Sequence, residues 1–251
     1  MAESKLRVEL LNMTQEPVKV IYAACRQCYS ANFSHDIYMS CFDKVDQAKQ
    51  EGFIKEITAS GHETPLEHVS MSFAAEGISR TCSHQLVRHR LASYSQQSQR
   101  YVKESDFDYI VPPNIKNDKG LSEIFEKTMG QIQDSYNRVV DGLKQKGKKP
   151  ETCNEDARFL LPGAAETKIV VTMNCRELIH FFRERCCTRT QWELRRLANT
   201  MRDICKKALP AVFENADAKC VSLGCCPEGA KFTCGRYPPR PTLSPKRGEG
   251  I

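Results

Sequence analysis

Between Gly77 and Lys103 the sequence contains neither aspartate nor glutamate. The same interval holds Arg80, Arg88, Arg90, Arg100 and Lys103, together with His84 and His89. A block of one charge sign selects for an anionic partner such as nucleic acid, a nucleotide or a phosphorylated cofactor. Long hydrophobic runs are missing as well. None approaches the ~20 residues a membrane span needs, so no membrane association is expected. The opening "MAESKLRVELLNM" sets charges among its apolar residues and does not read as an export signal, which makes a cytoplasmic location the expectation. No cysteine is followed by histidine, and no G-x-S-x-G elbow surrounds Ser98, so a serine nucleophile on a strained turn has no support there.

What is present fits an ordinary globular chain. It has 251 residues, 40% of them hydrophobic and 27% charged, with a formal net charge of +6. That length is enough to bury a sizeable core. The thirteen cysteines are odd in number and come without an export signal, which argues for reduced thiols over a secreted disulfide framework. The Cys25-x₂-Cys28 pair falls on a predicted helix and reads as core. Cys220, Cys225, Cys226 and Cys234 crowd into "CVSLGCCPEGAKFTC", with Cys186 and Cys187 as possible companions in space. Their spacing lacks the paired knuckles of a zinc finger, so no metal is assigned and free thiols or a disulfide are favoured.

Periodicity gives an α+β reading: long helices packed with a small, mostly antiparallel sheet in a single domain. Helices are expected at 17–29 (opened by Pro17), 38–50, 79–91, 121–146, 154–161, about 175–186 and 190–209. "VSMSFAAE" alternates Val69, Met71, Phe73 and Ala75 as a half-buried strand, and "TKIVVTMN" is the strongest strand pattern. "TPLE" fits a capping signature with Thr64 as the cap, Pro65 next and Glu67 in the third position, but only a short turn can form before the strand that follows. The strands are not spaced as βαβ units. A Cys-, Pro- and Gly-rich extension over 216–251 follows a main domain at 1–215, and 237–251 has the composition of a mobile tail.

The stretch "VRHRLASYSQQSQRY" concentrates guanidiniums, hydroxyls and amides. A guanidinium fork suits phosphate oxygens and also the paired acceptors of a pyrimidine or flavin ring. From composition alone, a solvated basic helix end and a nucleic-acid-binding module without catalysis remain open beside a nucleotide enzyme.

This stretch resembles the signature of flavin-dependent thymidylate synthases: R-H-R, seven residues, S, one residue, R. Those positions are Arg88-His89-Arg90, Ser98 and Arg100. "GHETPLEH" at 61–68 resembles the family's upstream segment, and "MNCRELIHFFRERC…TQWELR" its downstream helices, so three ordered blocks span about residues 18–210. The resemblance implies transfer of the methylene of methylenetetrahydrofolate to dUMP, completed by a hydride from FAD that NADPH has reduced. It implies FAD contacts at Thr64, Arg88, His89, Arg90, Gln96, Asn174, Cys175, Arg176 and His180. It implies dUMP contacts at Gln85, Leu86, Val87, Arg88, Gln96, Gln97, Ser98, Gln99, Arg100, Arg158 and Arg185. The chain departs from the family in having Ser95-Gln96 where Asn-Glu is common, which removes a charge.

The chemistry agrees with these residue types. Uracil C5 is a poor nucleophile unless charge develops on the ring oxygens or N3, and a guanidinium placed there stabilises that charge. Arg185 is the expected catalytic residue, with Arg100, Arg158 and Ser98 positioning the nucleotide. No protein nucleophile is needed, and the Pro-Cys-His motif of the unrelated thymidylate synthase class is missing. Arg176 and His180 lie four residues apart and share a helix face. Arg185 is nine residues from Arg176, which at about 100° per residue places it on the opposite side. One pair of ligands reaching both faces points to a homo-oligomer with shared sites, in line with the family's homotetramer.

Overall fold

The computed structural model describes residues 1–240. Along the chain, β1 (Arg7–Met13) is followed by α1 (Pro17–Gln27), α2 (Ser34–Asp43), α3 (Gln47–Ala59) and a 3-10 turn at Thr64–His68. Then come β2 (Ser70–Ser79), α4 (Arg80–Leu86), β3 (Ala92–Gln96), α5 (Pro113–Lys116), α6 (Lys119–Gln145) and α7 (Pro150–Ala157). A 3-10 turn at Arg158–Leu160 leads to β4 (Glu166–Asn174), α8 (Cys175–Arg185) and α9 (Trp192–Ala208). The short helices α10 (Pro210–Phe213), α11 (Lys219–Leu223) and α12 (Gly229–Phe232) complete the order. The α+β expectation holds. Contacts divide the chain into two units, one from residues 1–13 and 70–173, the other from residues 14–69 and 174 onward.

The first unit is built on the sheet, in the order β1-β2-β4-β3. β1 runs antiparallel to β2, from Arg7↔Glu76 to Met13↔Met71, with an irregularity between Leu10 and Asn12 that leaves Leu11 exposed. β3 runs antiparallel to β4, from Ala92↔Met173 to Gln96↔Ile169. The Ser72 and Thr172 hydroxyls meet at 2.7 Å between the two central strands. Met71, Phe73 and Ala75 on β2 and Ile169, Val171 and Met173 on β4 are buried, as period-2 alternation requires. Each large side chain so removed from water contributes about 1.5–3 kcal/mol.

Helix α6 lays one stripe on this unit. Met129 joins Phe107, Tyr109, Val111 and Ala165, while Tyr136 and Val140 pack with Cys153 and Ala157. Gln133 is buried in the same stripe and is satisfied by the chain passing over it. Its Oε1 accepts from Phe107 N at 2.8 Å, and its Nε2 donates to Glu104 O at 2.9 Å.

The second unit is helical. Its core includes Ile21, Ile54, Leu66, Leu178, Leu194, Leu197 and Met201, with Phe182 edge-on to Phe213 at 6.1 Å between ring centres. Asp217, Lys219 and Glu228 are joined to the preceding helical segment by ion pairs: Arg202–Asp217 at 3.2 Å, Lys219–Glu184 and Arg189–Glu228.

Several boundaries differ from expectation. The helix read at 38–50 is broken between Asp43 and Gln47. Asp46 caps α3 by accepting from Lys49 N at 2.9 Å, and Gln50 Nε2 holds the break through Cys41 O and Val45 O. The helix read at 79–91 stops at Leu86, because the chain must turn to enter β3. Thr64 is not a cap. It is the first residue of the 3-10 turn, Glu63 precedes it, and no side-chain cap bond forms. Of the Cys25/Cys28 pair, Cys25 is buried and Cys28 is exposed. β1 and β3 were not expected. The tail expected over 237–251 lies outside the described residues from 241 onward.

Candidate active site

In the first unit, the site residues begin where β2 changes into α4. Ser79 caps α4, its Oγ accepting from Cys82 N at 3.0 Å. After Leu86 the chain reverses, and the Tyr94 hydroxyl on β3 sits 2.9 Å from the carbonyls of both Leu86 and His89. That pins the Arg88-His89-Arg90 turn. His89 is buried, whereas Arg88 and Arg90 are exposed. Among the described residues no hydrogen bond or ion pair engages either guanidinium. Of the neighbouring predicted contacts, Leu86 is fully buried, Val87 is exposed and Gln85 is half-buried.

β3 then places the amides and hydroxyls. Gln96 Nε2 donates to Ser83 Oγ at 2.9 Å and to Thr167 Oγ1 at 3.1 Å. Gln97 Nε2 donates to Glu104 Oε1 at 3.3 Å, while its Oε1 is buried without a partner among the described residues. Ser98 Oγ accepts from Arg100 N at 3.2 Å. The fold supplies the carboxylate that the local sequence lacks: Arg100 Nε donates to Glu155 Oε2 on α7 at 3.1 Å. Asn154 Nδ2 also donates to Arg100 O at 3.0 Å. Arg158 follows α7 and is half-buried. Burial and the nearby Glu166 push Glu104 above the usual carboxylate range.

The structure brings Gln85 and Gln99 together on one cavity of about 520 Å³, whose other walls are Arg80, Thr81, His84 and the Leu161–Gly163 segment. Sequence reasoning counted Arg80 in the basic block but left it out of the site. The signal was its position directly after the Ser79 cap. Ser83, Thr167 and Glu155, which orient Gln96 and Arg100, come from distant segments and carried no sequence signal.

In the second unit, Asn174 caps α8, its Oδ1 accepting from Glu177 N at 2.8 Å. Cys175 is fully buried, its thiol pushed up to about 12 by burial, and its N–H donates to Val69 O at 2.8 Å. Arg176 and His180 share the exposed face of α8, as the i, i+4 spacing requires. Arg176 pairs with Glu67, and Arg183 with Glu63 at 2.7 Å, so two carboxylates of the 61–68 segment hold this helix beside Thr64. Arg185 continues the stripe of Leu178 and Phe181 and emerges half-buried at the last residue of α8. Cys186, Cys187, Cys220, Cys225, Cys226 and Cys234 are all unbonded thiols. Burial pushes Cys186 up to about 12, whereas the Thr188 hydroxyl lowers Cys234.

A small antiparallel sheet with exposed guanidiniums and fixed amides defines an α+β protein suited to an anionic, hydrogen-bonding ligand. The chain belongs to the Thy1 family, described as "Thymidylate synthase complementing protein", whose model matches residues 9–211. Relatives named flavin-dependent thymidylate synthase include that of Nitratidesulfovibrio vulgaris, 51% identical over 97% of this chain and 100% of its own length. That of Clostridium tetani is 46% identical over 92% of this chain and 94% of its own length. Among solved structures, the UMP/dUMP methylase PolB from Streptomyces cacaoi, bound with 5-Br dUMP, shares the fold. It aligns with a TM-score of 0.69 at 22% identity, covering 85% of this chain and 95% of that one.

Proposed function

We propose that the protein is a flavin-dependent thymidylate synthase. It converts dUMP to dTMP with methylenetetrahydrofolate as carbon donor and NADPH as reductant. The observation that carries this reading is the pair of exposed guanidiniums, Arg88 and Arg90, which stand on a pinned turn without partners among the described residues. Such groups fit the pyrophosphate and ring acceptors of FAD, and Arg176 and His180 add donors on the exposed face of α8. Thr64, Asn174, Cys175 and His89 complete the FAD side, Cys175 through its main chain because its thiol is buried. FAD bound there and reduced by NADPH would supply the hydride that completes the methyl group.

The remaining roles belong to the protein's own side chains. Arg185 faces the pyrimidine and stabilises negative charge as it develops on the ring, which raises the nucleophilicity of C5. Arg100 and Arg158 hold the phosphate, and Ser98 and Gln99 fix the nucleotide's orientation. Glu155 Oε2 accepts from Arg100 Nε and orients its guanidinium. Gln96 reaches the Ser83 and Thr167 hydroxyls as a donor, where a glutamate would only accept, and it carries no charge. Ser98 acts as a positioning group and not as a nucleophile. Arg176 and Arg185 leave α8 on opposite sides, which supports a homo-oligomer whose sites are shared between copies; that it is a tetramer is what the family resemblance implies. The catalytic part is residues 1–215 and acts in the cytoplasm.

Tritium release from C5-labelled dUMP is the test. Release that depends on FAD, NADPH and methylenetetrahydrofolate is expected. Colourless protein that FAD does not reconstitute, and that binds single-stranded nucleic acid with steep salt dependence, would overturn the reading.

A further inference from the structure

We infer that Arg80 is a further positioning residue, one that grips the phosphate of dUMP from the floor of the cavity shared by Gln85 and Gln99. This rests on the reading of the protein as a dUMP enzyme.

The backbone at Arg80 is fixed. Arg80 N donates to Ala165 O at 2.9 Å, and Thr81 N donates to Gly163 O at 3.0 Å. The Thr81 hydroxyl makes a second bond to Gly163 O at 3.0 Å. Gly163 lies so close that a Cβ there would fall 2.5 Å from Thr81 Oγ1. The first turn of α4 is therefore clamped to the 163–165 segment, and the Arg80 side chain starts from a rigid base.

Its guanidinium is poorly satisfied. Nη1 lies 3.4 Å from both Gln97 O and Thr167 Oγ1, at the long limit of hydrogen bonding. Among the described residues no carboxylate comes within 4.0 Å of it, whereas Arg100 has Glu155. Burial is the main influence lowering its affinity for its proton, and nearby Arg158 acts in the same direction. Glu104, the one carboxylate that opposes them, is itself destabilised by burial and by Glu166. Burial and the Arg158 charge both oppose the Arg80 cation, and a phosphate beside its guanidinium would offset them.

The cavity has matching chemistry. Arg80 and His84 bring its basic groups, Gln85 and Gln99 bring amides, and Leu161 and Pro162 form the apolar wall. A phosphate monoester at Arg80 would leave the nucleoside to the amides and to the β3 residues. Arg80 thus discriminates nucleotide from nucleoside, a task that the R-H-R signature does not describe.

The experiment compares dUMP with deoxyuridine, which lacks the phosphate, on the FAD-loaded enzyme. Arg80→Met should raise the KM and Kd for dUMP about 10- to 100-fold, the range for losing a charge-assisted hydrogen bond. The kcat should stay within a few-fold, and deoxyuridine affinity and flavin absorbance should not change. Arg80→Lys should recover part of the loss. Should the Met variant not fold, Arg80→Gln keeps a donor toward Gln97 O and serves in the same comparison. An equal loss for dUMP and deoxyuridine, or an unchanged dUMP KM, overturns the inference and leaves the enzyme assignment standing. Wild-type protein that does not bind dUMP overturns both.

Discussion

Gly77→Ala tests the join between β2 and α4, on which the placement of Arg80 and the R-H-R turn depends. Gly77 has φ +68, in the left-handed region that L-residues avoid. Its N–H donates to Glu166 Oε1 at 2.8 Å, which locks the end of β2 to the start of β4. A Cβ at this position would fall 2.0 Å from Lys5 O, 2.3 Å from Lys5 C and 2.8 Å from Leu6 N. Those are backbone atoms, so no side-chain rotation relieves the overlap. The left-handed conformation costs a side-chain-bearing residue about 1–2 kcal/mol. Displacing residues 5 and 6 adds about 1 kcal/mol for a lost backbone bond. The sum is about 2–3 kcal/mol, or a fall in Tm of ~4–12 °C for a chain of this size. Thermal unfolding followed by circular dichroism measures it. Gly52→Ala on exposed α3, where a Cβ meets nothing within 4 Å, is the control and should gain ~0.5–1 kcal/mol. A Gly77→Ala protein melting within about 1 °C of the parent would refute the reasoning.

Three further outcomes are expected. Arg185→Ala should keep its bound flavin and lose ~10²- to 10³-fold in turnover of dUMP; unchanged turnover removes Arg185 from the chemistry. Ser98→Ala should stay active within about tenfold, and complete loss with intact dUMP binding would instead restore a nucleophilic serine. Glu104 has its pKa raised in the fold, so the folded state binds more protons than the unfolded one just above the ordinary value of 4.5. Stability then falls as pH rises through that window. Glu104→Gln removes the titrating group, so its Tm should fall less over the same pH range; parallel profiles for parent and variant would rule out Glu104 as the source.

Pattern in the sequence was enough to place the elements with strong periodicity. β2 and β4 carry buried residues at every second position, and α6 repeats Met129, Tyr136 and Val140 on one stripe. The edge strands were hidden for opposite reasons. β1 buries only Val8 and is interrupted at Leu11, so its alternation never accumulates. β3 is "ASYSQ", polar residues whose only claim to strand structure is pairing with β4. The break before α3 was written in Asp46, a capping residue, but it lay inside an apolar spacing that continued across it. In the site, resemblance to a family supplied the positions of Arg88, Ser98 and Arg185. Nothing local marked Glu155 as the support of Arg100 or Thr167 as that of Gln96, because those contacts join segments 55 and 71 residues apart.

The interleaving of the two units has a consequence for how the protein is made. The chain passes from one unit to the other after Met13, after Val69 and after Met173. No single continuous stretch encodes either unit, so neither can be expressed by trimming one end. On the ribosome, β1 must wait for β2, more than fifty residues later, before it has any partner. The sheet then stays open until β4 emerges, after α6 and α7 have been synthesised. Truncated messages that stop before β4 therefore yield chains with exposed strand edges, and the helical unit still needs the residues after Met173 to complete its core.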